Sequence, residues 1–267
     1  MAIITISRGT FAGGERLAQL LSARLGYRVV SREALYERAR IEYGIVVEEF
    51  VALTQGAPNV FDRNRRQSRR LLVALQACLC GLVAEDGVIY HGQSGHLFLP
   101  GVTHILRVRL IAPRARRIEL ARERERLTEA EANHRIDHVD AERERWNLFF
   151  YGLRWEDPGL YDVTLNLERL SVDDAAAAVA PMTELAPLRA TDVSRRRLRD
   201  LQVESRVNAR LMLDPIVGSY DVEVEVTGGR VKLDGLASEQ HVRWALEQVR
   251  RIPGVEHVEA APPVAGR

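Results

Sequence analysis

Short unbroken runs of apolar residues alternate along most of the chain with stretches in which leucine and alanine recur at helical spacing. Ile3, Ile4 and Ile6 form the first run. A turn containing Gly13 and Gly14 follows, and then Leu17, Leu20, Leu21 and Leu25 mark one face of a helix that Gly26 stops. Val29 and Val30 suggest a second strand. Helices are predicted over 33–40 and 46–53, with Gly56 and Pro58 breaking the pattern. Over 65–85, Leu71, Leu72, Leu75, Leu79 and Leu82 share a face, which predicts a long buried helix. Further strands are predicted at 87–91, 105–111 and 163–167, and helices at 115–126, 129–149 and 172–179, with Thr128 placed to cap the second of these. Strands alternating with helices predict a parallel sheet with helices on both faces, because parallel neighbours require a crossover and the crossover covers the sheet.

Past Pro181 the periodicity fades, and 183–194 read as a linker. A new unit begins at 195. Leu198, Leu201, Val207 and Leu211 outline a helix, 221–226 alternate acid with valine, Gly228 and Gly229 make a tight turn, and 230–233 alternate again. A helix over 239–251 and a short strand over 255–258 complete it. The predicted organisation is an α/β domain over 1–182, a linker, a small α+β domain over 195–261, and a tail over 262–267.

Composition narrows the picture. A chain of 267 residues is long enough for two cores. The net charge of +1 comes from arginine and glutamate interleaved in segments such as 116–126 and 140–145, which read as solvated helix faces. A nucleic-acid partner calls for a basic excess and is not expected. Lys232 is the only lysine, so the first domain's positive charge is carried by guanidinium groups. Cys78 and Cys80 sit within a helical stretch, which excludes a disulfide scaffold. The opening residues resemble a buried strand and not a signal peptide, and no window has the apolar length to span a bilayer, so a cytoplasmic protein is expected. His91, His96, His134 and His138 lack metal-ligand spacing, and no protein-held metal site is expected. Trp146, Phe149, Phe150 and Tyr151 are expected to pack against the sheet.

The turn between the first strand and helix carries the candidate chemistry. Helix-start amides attract anions, and Ala12, Gly13 and Gly14 let a phosphate approach the main chain. A small-residue turn also has a purely structural use. A lysine-bearing phosphate loop ends Gly-Lys-Ser/Thr, the ammonium meeting the β and γ phosphates. Here Gly14 is followed by Glu15, so a cationic grip falls to arginine, with Arg8 and Arg16 nearest. Glu15 itself reads either as a magnesium ligand or as a complement to the helix dipole.

The segment Ile4-Thr-Ile-Ser-Arg8, Gly13-Gly14, Leu25-Gly-Tyr27 and Arg32-Glu33 resembles the opening of the cytidylate-kinase-like family, a branch of the P-loop nucleoside-monophosphate kinases. The resemblance continues through Val88-Ile-Tyr-His-Gly92, Leu106 to Pro113, Ile136, Asp140 and Arg143. It ends with Trp155-Glu-Asp-Pro158 and Tyr161 to Asn166, the most specific strings. It implies ATP with Mg2+ as cofactors, with Arg8, Ala12, Gly13, Gly14 and Glu15 at the phosphates. It also implies an acceptor site at Ser31, Arg32, Gln93 and Ser94, and a lid helix whose Arg143 stabilises the transferring phosphoryl group together with Arg16. Relatives tend to carry Gly-Arg where this chain has Gly92-Gln93, and an amide cannot offset phosphate charge. Arg135, Asp140, Arg143 and Arg145 also fit ordinary helical ion pairs. Transfer of the ATP γ-phosphoryl group to a CMP-like acceptor is thus one expectation, and a catalytically silent nucleotide-sensing regulator is the other.

The second unit, with its Gly229 to Gly235 hairpin segment and closing Pro253-Gly-Val-Glu-His-Val258, is similar to a BON domain. The resemblance implies a docking module for a lipid, small-molecule or protein ligand, without catalysis. It lacks a basic face to predict attachment to anionic membranes.

Overall fold

A computed structural model describes residues 1–45, 62–92, 94–215, 217–218 and 221–263. The expected helix over 46–53 lies outside them. In the first domain β1 (Ile3–Arg8) leads into α1 (Gly14–Leu25), β2 (Arg28–Ser31) into α2 (Arg32–Tyr43), and α3 (Asp62–Leu82) into β3 (Val88–Gly92). Next come β4 (Ile105–Ile111), α4 (Arg114–Glu125), α5 (Glu129–Tyr151), β5 (Val163–Asn166) and α6 (Val172–Val179). The strands form a five-stranded sheet in the order β2-β3-β1-β4-β5, every pairing parallel. That order sets β1 in the middle, so the turn after Arg8 opens at the carboxyl edge of the sheet, where ligands meet α/β folds.

Each face of the sheet has its own core, as the apolar runs require. Ile4, Ile6, Val108 and Leu110 pack with Leu17 and Leu21 of α1 and with Ala175 and Val179 of α6. Ile3, Val88 and Tyr90 pack with Leu75 and Leu79 of α3 and Leu35 of α2. Thr128 caps α5 in a reciprocal capping box with Glu131. Cys78 and Cys80 are both buried free thiols. Trp146 is buried, but Phe149 is 40% exposed and sets its ring edge-on to Phe150, so the aromatic run does not pack on the sheet as a block. A helical run of that length turns one residue toward solvent.

The second domain holds α7 (Asp192–Met212), the hairpin β6 (Glu223–Thr227) and β7 (Arg230–Asp234), α8 (Glu239–Val249) and β8 (His257–Ala260). β8 lies parallel to β7 and begins two residues later than the valine pattern suggested. Residues 183–194 hold a 3-10 turn, Ala186–Leu188, and the first turn of α7. That helix serves both cores. Leu198 and Leu201 join the cluster of α3 and β3, while Val203, Val207 and Leu211 join Val226, Val231 and Val249. Arg195 bonds Asp86 at 3.1 Å and Arg70 donates to the Met212 carbonyl at 2.9 Å, fastening the helix to the sheet domain at both ends. Among the described residues no helix is long and apolar enough to cross a membrane.

Candidate functional site

Gly13 ends the turn after β1 with φ 83°, a left-handed value that a side chain would strain, and it caps α1 without a side-chain bond. Leu17 is the first amide to return to the Gly13 carbonyl, at 3.0 Å, so the amides of Gly14, Glu15 and Arg16 precede the hydrogen-bonded turn and face outward. A Cβ on Gly14 would overlap the Arg8 side chain, which lies directly across the helix start. The absence of a side chain at Gly14 is therefore what lets a guanidinium occupy the mouth of the helix.

A cleft of ≈150 Å³ opens there, lined by Arg8, Gly13, Gly14 and Glu15 on one side and by Arg124, Arg135 and Arg143 on the other, with Arg32 at its end. Arg143, only 7% exposed, donates from Nη1 to the Arg8 carbonyl at 2.8 Å and to Asp140 Oδ1 at 3.2 Å. Burial, and then the charge of Arg8, push its guanidinium down to about 9, and burial followed by Arg32 lowers Arg8 as well. At about 9, Arg143 remains protonated near neutrality. A group of desolvated like charges is an unfavourable arrangement that an anion relieves. Among the described residues the buried Arg8 Nε has no hydrogen-bond partner.

Asp140 holds the loop in shape. Its Oδ1 accepts from the Thr10 amide at 3.0 Å and from the Thr10 hydroxyl at 2.8 Å, and its Oδ2 accepts from Arg117. Arg117 donates in turn to the Thr10 carbonyl at 2.7 Å. Helices α4 and α5 thus grip the backbone of the turn through Arg117, Asp140 and Arg143. Sequence reasoning did not single out Thr10, Arg117 or Arg124. Arg117 and Arg124 lie in the charged run read as a solvated face, and the relevant partners are far away in sequence.

Of the remaining expected site residues Arg32 lines the cleft, and Ala12, Arg16, Ser31 and Ser94 do not. Ala12 is buried under the turn. Arg16 sits on the exposed side of α1 and is not part of the cleft lining. Ser31 caps α2, its Oγ accepting from Ala34 at 3.1 Å. Arg32 pairs with Glu33 at 3.1 Å and lies 5.8 Å from the Tyr36 ring centroid. Ser94, in a left-handed conformation with φ 52°, donates its hydroxyl to Asn147 Oδ1 at 2.6 Å. Gln93 lies outside the described residues. Arg135 stands 3.6 Å from Glu125 and Glu15 2.8 Å from Arg124, so each carboxylate of the cleft is matched to an arginine. Among the described residues no cluster of His, Cys, Asp or Glu is built to hold a metal ion.

The glycines and guanidinium groups fit a nucleotide's phosphate chain. A Mg2+ ion in such a site takes most of its oxygens from phosphate and water and one or two from carboxylates, and Glu15 and Glu125 are the carboxylates in reach of the cleft. On the second domain a groove of ≈330 Å³ runs over the outer face of the hairpin sheet, lined by Glu223, Glu225, Asp234 and Glu259 with Lys232 among them.

Comparison with known proteins bears on this site. The family model described as the cytidylate kinase-like family matches residues 3–169, and that of the BON domain matches residues 199–261. A cytidylate kinase of Methanopyrus kandleri is 27% identical over 190 residues, 68% of this chain and 95% of that protein. A cytidylate kinase of Pyrococcus furiosus is 25% identical over 187 residues, 70% of this chain and 91% of that protein. Among solved structures, an uncharacterized protein from Eubacterium ventriosum superposes with a TM-score of 0.54 at 17% identity, covering 69% of this chain and 99% of that one. The first domain is a kinase-like nucleotide-binding fold, and a BON domain follows it.

Proposed function

The chain belongs to the cytidylate kinase-like family, and from that premise we propose that its first domain binds ATP with Mg2+ and transfers the γ-phosphoryl group to a nucleoside monophosphate of the cytidylate type. The observation that carries this reading is the convergence of Arg8, Arg32, Arg124, Arg135 and Arg143 on the start of α1. The amides of Gly14, Glu15 and Arg16 would donate to phosphate oxygens. Arg8 and Arg143, held by burial and by the loop itself, would offset charge with little reorganisation, which is the main protein contribution to phosphoryl transfer. Ser31 and Arg32 border the acceptor side, with Gln93 and Ser94 proposed to complete it. The site fits bound Mg2+ through Glu15 or Glu125 beside the phosphates, where the ion would neutralise charge on the transferring group.

A coupled assay of the full chain with ATP, Mg2+ and each common monophosphate tests the proposal. Turnover above the enzyme-free rate, greatest with CMP and abolished in Arg143→Ala, is the expected result. Absence of turnover with every acceptor ends it. A second reading, a silent nucleotide-sensing regulator, draws on Glu15 standing where a lysine is usual and on the Ser94 hydroxyl being spent on Asn147. It predicts nucleotide binding by calorimetry without turnover.

We further propose that the chain divides at 183–194 and that the BON domain is a docking module. The carboxylates of its outer sheet face oppose an anionic lipid surface and favour a ligand or protein segment bearing positive charge.

A further inference from the structure

Glu15 and Arg124 face each other across the cleft, and the proposed function leaves their pairing unexplained. Glu15 occupies the first turn of α1, where a lysine-bearing loop would present its ammonium. Arg124 comes from the last turn of α4 on the opposite wall, and its Nη1 reaches Glu15 Oε2 at 2.8 Å. The carboxylate sits at the positive end of a helix dipole, in the place an anion would take. Its partner spans the gap that a phosphate would fill.

We infer that Glu15 and Arg124 form an internal latch: the carboxylate stands in for phosphate at the helix start, and an incoming phosphate chain displaces it and takes over Arg124 as a direct contact. The inference rests on the nucleotide reading and assigns the cation that the missing lysine would have supplied. Arg124 is suited to it because it faces Glu15 directly and is released more readily than Arg143 or Arg8. Arg143 is bound to the loop carbonyl of Arg8 and to Asp140, and the Arg8 stem is wedged against Gly14. The side chains of Arg124 and Glu15 are 50% and 46% exposed. An ion pair that wet is weak and opens without strain, whereas a guanidinium on a polyphosphate makes stronger, charge-assisted bonds. Arg8 feels both partners, Glu15 favouring its charge and Arg124 opposing it, so the latch also partly balances the buried cations while the cleft holds no ligand.

Opposite signs for the two partners distinguish a latch from an ordinary surface pair. Calorimetric titrations of the full chain with ATP and with inorganic tripolyphosphate, without Mg2+ and at low salt, compare wild type, Glu15→Gln and Arg124→Gln. Glu15→Gln is expected to bind about tenfold more tightly, since a competing negative charge is gone, and Arg124→Gln about tenfold more weakly. Thermal midpoints of both variants should match wild type, because half-exposed side chains contribute little to folding. If Arg124→Gln does not fold, Arg124→Lys replaces it and is expected to bind with intermediate affinity. Wild-type binding that neither variant shifts by more than about twofold would overturn the latch and leave the nucleotide reading standing. Failure of both wild type and Glu15→Gln to bind at millimolar ligand removes the reading and the latch together. Binding by Glu15→Gln where wild type shows none supports the latch in its fully closed form.

Discussion

Replacing Asp140 by alanine tests how the cleft is held open. Its carboxylate accepts from the Thr10 amide at 3.0 Å, the Thr10 hydroxyl at 2.8 Å and Arg143 at 3.2 Å, and also from Arg117. Hydrogen bonds to charged groups contribute about 1.5–3 kcal/mol each, but bonds sharing one carboxylate are not additive. The Asp140 side chain is 20% exposed, so water recovers part of the loss, while Arg143 beside it is buried and keeps its bond to the Arg8 carbonyl. These considerations place the cost at about 3 kcal/mol, the low end for breaking a buried ion pair. Against a typical stability of about 5–15 kcal/mol the variant should still fold. The assay is urea unfolding followed by Trp146 and Trp155 fluorescence, in which the first domain's midpoint should fall by roughly 1 M. Asp140→Asn, keeping one acceptor without the charge, should lose about half as much, and Arg145→Ala, on the exposed side of the same helix, should stay within about 0.5 kcal/mol of wild type. If Asp140→Ala costs no more than Arg145→Ala, Asp140 does not hold the loop in shape. If it lowers stability yet leaves anion affinity unchanged, Asp140 packs the helices and does not shape the loop.

The shared helix makes its own prediction. Leu201 is 1% exposed within the sheet domain's core, so Leu201→Ala should cost about 2–5 kcal/mol, and hydrogen exchange should quicken in both domains because Val203 and Val207 on the same helix belong to the second core. Faster exchange confined to one domain would show that the cores are not coupled through α7. Acid sensitivity follows from His96, whose buried ring is pushed down to about 4 by burial and then by Arg107, against the opposing pull of Asp162. The unfolded chain takes up a proton below about pH 6.5 that the folded chain refuses, so stability declines as pH falls from there toward 4. His91 and His104, both lowered mainly by burial, add in the same direction. His96→Phe, which keeps a ring against Tyr161, should lose less stability than wild type between pH 7 and pH 5 in urea titrations; an identical loss refutes the assignment.

Most of the described strands and helices, and the Thr128 cap, were legible in the residues because each depends on neighbours a few places away. Ile3 to Ile6 announce a strand buried on both faces, Leu17, Leu21 and Leu25 a helix, and Gly13 and Gly14 the turn between them, and the motif resemblance carried the family. The positions of the arginines were not legible in the same way. Arg8 and Arg16 are equivalent candidates in the sequence, and only the tertiary structure brings Arg8, at the end of β1, to the cleft while the phase of α1 turns Arg16 to solvent. Arg124 reads as one charge in a solvated run until α4 is set opposite α1 and brings it to Glu15.

Asp140 and Thr10 stand 130 residues apart, and nothing local foretells their bond. The same holds for α7, whose heptad-like leucines and valines specify a buried helix but not that its first half completes one core and its second half another. Local periodicity fixes backbone conformation through interactions within a turn or a pleat. Which side chains meet across elements is settled by the strand order and by the burial that packing enforces, and the charges of this cleft owe their environment to that packing.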